Sequence, residues 1–258
     1  MAEENTNPIA IAVPGEWAIK KLLGPVLEEM GGDLQKLYKA GRDKIVSAAL
    51  RKVNADDGNW ANLRVARDVF WNGSFTDEAI CAEYFGGILA SSRSADGKDD
   101  RGIYYADIIK SLSSQQLLFH YIIYFAMNRL WIGMPADKQR PNVGMGAELR
   151  NYTAWFFTKE IESLGISVEK DLIALANKGL INDGTYEASA HKIDDGKEVP
   201  YTRIAPTTLG AQLYAVAHNK LPDWRKLPHE NFGHFEDIKV PNYFAFNVEE
   251  LLTQAGIK

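Results

Sequence analysis

The chain has 258 residues, of which 46% are hydrophobic and 24% charged, so it can bury a sizeable core and is not compositionally disordered. Lys and Arg number 29 against 34 Asp and Glu, and the resulting net charge of −5 removes any overall basic field toward nucleic acid or anionic lipid. The single cysteine, Cys81, excludes an intramolecular disulfide framework and a multi-cysteine zinc site, and it fits a reducing compartment.

The opening MAEENTNPIAIAVPG lacks the basic start and long apolar core of a secretory signal, so a cytoplasmic location is expected. Trp17, Leu22, Val26, Leu27, Met30, Leu34 and Leu37 keep helical spacing from about Gly15, with breaks or kinks at Gly24-Pro25 and Gly31-Gly32. DKIVSAALRKV places Ile45, Ala49 and Val53 on one side and stops before the turn-rich Asn54 to Gly58. Mixed charge on the polar faces favours packing against the rest of the chain over a membrane-surface role. Leu63, Ala66, Val69 and Phe70 give the next helix one face, ending at Asn72-Gly73. Thr76 then caps a helix with Asp77 and Glu78 in its first turn and Ile80, Tyr84, Phe85, Ile88 and Leu89 inward. Cys81 reads there as a core residue, because no histidine is near it in sequence. Asp77, Glu78 and Glu83 read as helix-start electrostatics and a solvated face rather than an acid/base pair. SSRSADGKDDRG is a polar loop, and IYYADIIKSL a short helix.

The longest apolar run, Ser111 to Trp131, predicts a central buried helix started by a capping box of Ser113 and Gln116. His120, Asn128 and Arg129 interrupt it too often for a membrane span. Gln116, His120, Tyr124 and Asn128 recur every four residues and therefore share one side. That polar stripe is either an internal hydrogen-bond ladder or wet edge, or a surface that contacts a partner or lines a groove.

Beyond it, GMPADKQRPNVGMG is a connector whose glycines are not followed by the Lys-Ser/Thr of a phosphate loop. ELRNYTAWFFTKEIESLG is expected to be helical. SVEKDLIALANKGLI gives a short helix from Ser167 to Gly179; strands over Thr185 to Ile193 and Val199 to Ile204 flank the Asp194-Asp195-Gly196 turn, and TTLGAQLYAVAHNK returns to helix. This order is that of a winged helix-turn-helix whose first helix is the central one. The expected fold class is mainly α: an N-terminal helical domain over 1–104, a winged-helix-like domain over 105–220 with a loop inserted at 134–146 and a small β-hairpin wing, and a C-terminal arm over 221–258. The arm should end in a helix capped by Asn247 and Glu250.

KLLGPVLEEMGGDLQKLY, FTDEAICAEYFGGILASS, YADIIKSLSSQQLLFHYI, NKGLI and TTLGAQLY together resemble the Abi-alpha family, the alpha-type abortive-infection domain of bacterial phage-defence settings. Tyr84 and Phe85 stand where that family usually carries a tryptophan. The resemblance spans roughly residues 20 to 220, supplies no catalytic residues, and implies a non-catalytic interaction or sensor protein with a phage or host protein as partner and no cofactor.

Two other function classes follow from the residues themselves. A winged-helix regulator would meet nucleic acid through Lys170, Lys178, Lys192 and Lys197, although Glu169, Asp171, Asp194, Asp195 and Glu198 offset those charges and weaken counterion release. A metal-dependent hydrolase would need His229, Glu230 and His234, whose spacing is one residue longer than the helical zinc motif His-Glu-x-x-His. There is no nucleophile elbow and no dinucleotide fingerprint.

Overall fold

Local signals place the elements in chain order. In a computed structural model the described residues are 41–257 apart from Ala55, 74–77, Thr185 and 194–195; the expected helices before residue 40 and the Thr76 cap lie outside them. Helix α1 is Arg42–Leu50, β1 Trp60–Ala61, α2 Leu63–Gly73, α3 Ala79–Ser91, β2 Arg93–Ser94, α4 Gly102–Ile109 and α5 Ser114–Ile132. Then come α6 Gly146–Leu149, β3 Ala154–Phe157, α7 Thr158–Glu162, α8 Val168–Asn177, β4 Glu187–Lys192, β5 Glu198–Ile204 and α9 Thr208–Ala217. A 3-10 turn at Leu221–Lys226 leads into an irregular stretch and the final helix, α10, Val248–Gln254.

Helix α5 begins where the capping box puts it. Ser113 Oγ accepts from Gln116 N at 3.1 Å and Gln116 Oε1 accepts from Ser113 N at 3.0 Å, satisfying two donors that the first turn leaves unpaired. Its residues are buried on nearly every side, as the apolar residues spread around the sequence of this helix lead one to expect, and His120, Tyr124 and Asn128 of the polar stripe are buried with them. Ile45 of α1, Phe70 of α2, Ile88 of α3, Ile122 of α5, Phe156 of β3, Leu172 of α8 and Leu213 of α9 belong to one apolar cluster. Among the described residues, no helix is long and apolar enough to cross a membrane.

Adjacent glycines set the spacing of three helices. A Cβ on Gly86 would lie 2.7 Å from Ala48 Cβ of α1, and one on Gly87 would lie 2.5 Å from Ala217 C of α9. Helix α3 is thus approached at backbone distance from two sides. Gly87→Ala should cost about 1–3 kcal/mol, because α9 must retreat and lose packing. Its denaturant midpoint measures this, and a midpoint equal to that of the wild type would show that the approach is looser.

The mainly α expectation is corrected. About 49% of the structure is helical and 11% strand, in two small sheets, so strand is not confined to a wing. Within the expected polar loop, Arg93 and Ser94 pair with Ala61 and Trp60. Within the segment expected to be helical, Ala154 to Phe157 form β3, antiparallel to β5 with Trp155 opposite Arg203, and the larger sheet runs β3-β5-β4. The reason lies in the side chains: Ala154 and Phe156 are buried while Trp155 and Phe157 are half-buried, a period of two that suits a pleated surface better than a helix. Trp155 also bridges to Ala245, which ties the last part of the chain to β3.

Candidate functional site

The strongest concentration of buried charge forms where α1 ends against α3. Lys52, just past α1, places its ammonium 2.5 Å from Glu83 Oε2 and donates to the Glu83 carbonyl at 2.7 Å, while the Arg51 guanidinium takes the other carboxylate oxygen. The Lys52 and Glu83 side chains are each only 10% exposed. Burial lowers the Lys52 pKa to about 8, against the opposing pull of the Glu83 charge. Below the ammonium lies the Phe235 ring, 4.7 Å to its centroid. Asn219, held at a φ of 55°, donates to the Lys52 carbonyl at 2.8 Å and fixes the turn.

Above this pair opens a cleft of about 280 Å³ lined by Lys52, Asn54, Asp57, Arg93, Arg101 and Asn219, among others. Arg93, with a side chain 4% exposed, donates to Asp57 Oδ1 at 2.6 Å and to the Asn59 carbonyl at 3.0 Å. Arg101 pairs with Asp99 at 2.5 Å, and its hydrogen bond holds the Asp99 carboxyl below the usual range. Lys52, Arg93 and Arg101 thus line one concave surface together with Asp57 and Asp99, each cation holding a carboxylate and able to recognise a polar ligand by exchanging hydrogen bonds.

Behind Lys52 the C-terminal segment seals an aromatic nest. Phe235 stacks on Tyr121 at 4.6 Å and on His218 at 4.4 Å between ring centroids. Tyr121 Oη accepts from Phe235 N at 2.9 Å and meets His234 Nδ1 at 2.9 Å. Burial drives His218 well below the ordinary imidazole range, with the Lys52 charge adding to it. Tyr214 Oη and His218 Nε2 find no hydrogen-bond partner among the described residues.

The polar stripe of α5 faces inward, so His120, Tyr124 and Asn128 do not line a groove. Gln116 Nε2 reaches Asp171 Oδ1 at 3.2 Å; Tyr124 Oη donates to the Leu180 carbonyl at 2.7 Å and accepts from Thr207 N at 2.8 Å. His120 sits between Tyr84 Oη at 2.5 Å and the Gly210 carbonyl at 3.2 Å. Asn128 binds the segment that follows the 3-10 turn. The stripe therefore cross-links α3, α8, α9 and the C-terminal segment through α5.

Lys170, Lys178, Lys192 and Lys197 are exposed on α8 and the hairpin. Asp171, expected to offset Lys170, turns inward instead and accepts from Ser167 N at 2.9 Å, leaving Glu169 as the acidic neighbour on that face. His229, Glu230 and His234 do not converge: Glu230 pairs with Lys226 at 3.4 Å and His234 with Tyr121. Among the described residues, no three His, Cys, Asp or Glu side chains gather as metal ligands. Sequence reasoning read Glu83 as part of a solvated face and left Lys52 unmarked. The signal that could have found the pair is a lone carboxylate inside the apolar stretch ICAEYF.

Compared with known proteins, the chain matches no family model, no curated protein and no solved structure.

Proposed function

We propose that this chain is a cytoplasmic interaction or sensor protein of the abortive-infection kind, which binds its partner rather than transforming it. The observation that supports this reading is the state of the charged cleft: Lys52, Arg93 and Arg101 each already hold a carboxylate. Paired charges suit recognition of a polar partner through exchanged, charge-assisted hydrogen bonds. Arg101 is the accessible member, with a side chain 73% exposed, so its replacement leaves the core intact. Arg101→Glu should reduce recovery of a phage-dependent partner several-fold in pull-downs from infected and uninfected cells, with an unchanged melting temperature. Equal recovery by wild type and variant would sink the reading.

The inward turn of Asp171 favours, as a second reading, a DNA-binding regulator acting through α8. Replacing Lys170 and Lys178 by Ala would then flatten the salt dependence of duplex binding by about 2 in logarithmic slope. Duplex binding absent even at low salt would remove it.

A further inference from the structure

Among the described residues, the larger sheet has one open side. In the order β3-β5-β4, β3 is met on its outer side by the bridge from Trp155 to Ala245, whereas β4 has β5 as its only strand partner among the described residues. A bare strand edge presents unpaired N–H and C=O groups and is ordinarily blunted by proline, a bulge or a central charge. The middle of β4 carries none of these: Ala188, Ser189 and Ala190 are exposed and small, and the ladder with β5 runs without interruption from Glu187 to Lys192.

We infer that β4 is a self-association edge, pairing antiparallel with β4 of a second copy of this chain to give a continuous six-stranded sheet. Symmetry fixes the register. Residues directly opposite in an antiparallel pair project from the same face, so a two-fold axis must pass through a residue and not between two. An axis at Ser189 sets Ser189 against itself, Ala188 against Ala190, and Glu187 against His191 of the second copy, twice over. Moving the axis to Ala190 puts Glu187 opposite Ile193 and Lys192 opposite Ala188, and the pairing of carboxylate with imidazole is gone. Glu187 already holds Arg203 at 2.6 Å and accepts from Tyr201 at 3.2 Å, and a carboxylate has acceptor sites left for an imidazole. Small side chains at the centre let the two strands approach without a clash. Because the opposite side of the sheet is occupied at Trp155, the pairing is isologous and closes at two copies instead of running on into a filament.

Light scattering on the purified full chain reads the assembly, whose expected mass is twice 28.8 kDa. Ser189→Lys sets two ammonium groups directly opposite each other across the axis, and like charges so placed oppose pairing. This variant should run at the single-chain mass with an unchanged circular dichroism spectrum, and mixing it with Ser189→Glu should restore the double mass. A wild type that stays at the single-chain mass over the accessible concentration range overturns the inference. So does a Ser189→Lys chain that keeps the double mass, since the copies then meet elsewhere.

Discussion

Asn128→Ala is expected to destabilise the chain by about 3–5 kcal/mol, a large share of the roughly 5–15 kcal/mol that holds a typical domain folded. One amide makes three bonds to the C-terminal segment: Nδ2 donates to the Leu227 carbonyl at 2.6 Å and the Glu230 carbonyl at 2.8 Å, and Oδ1 accepts from Phe232 N at 3.1 Å. Asn128 is fully buried, so truncation strands two carbonyls and an N–H away from water, at about 1–3 kcal/mol for each group left unpaired. The irregular segment has no ladder of its own to fall back on. Asn128→Asp is the sharper variant, because it keeps the acceptor for Phe232 N and turns carboxylate oxygen toward two carbonyls. Urea unfolding should rank the wild type above both, and proteolysis should open the chain first after the 3-10 turn. A loss under about 1 kcal/mol would mean that the segment is held mainly by its aromatic packing.

Acid should destabilise the protein through His120, alongside the likewise buried His218, which wild type and a His120→Gln variant both retain. The Gly210 carbonyl can only accept, so Nε2 carries the ring proton and donates to it, and Nδ1 accepts from the Tyr84 hydroxyl. Both ring nitrogens are therefore satisfied in the neutral form. Burial lowers the pKa from 6.5 to about 3, while the hydrogen bond to Gly210 pulls weakly the other way. The sign follows from linkage: with the folded pKa depressed, the unfolded chain binds the proton first, so the contribution is complete above about pH 6.5 and drains away as pH falls toward 3. Its slope is at most about 1.4 kcal/mol per pH unit. His120→Gln lacks the titrating ring, so the stability gap between wild type and variant should narrow steadily over that window. Carboxylates titrate alike in both chains and cancel in the difference. A gap that does not change with pH would show that the imidazole takes its proton without penalty.

What the sequence by itself determined about this protein is local. The Ser113–Gln116 box, the Thr207 cap on Gly210 N at 3.1 Å and the Asn247 cap on Glu250 N at 2.9 Å each close within three residues. Chain chemistry over one helical turn is enough to set them. Gly179 and Gly196, at φ 68° and 80°, mark a helix end and a hairpin tip for the same reason. The four-residue recurrence of Gln116, His120, Tyr124 and Asn128 likewise placed them on one side of α5.

Only the tertiary structure decided which way that side looks. His120 finds its partners in Tyr84 and Gly210, and Asn128 in residues 227, 230 and 232, none of which a window around α5 contains. The segment AWFF became a strand because β5 offers it a ladder from Tyr201 to Ile204, a partner more than 40 residues distant. Lys52 and Glu83 became a buried pair because α1 docks on α3. Periodicity reports that side chains share a face, but hydrogen bonds and burial depend on what folds against that face, and that information lies in contacts distant in sequence.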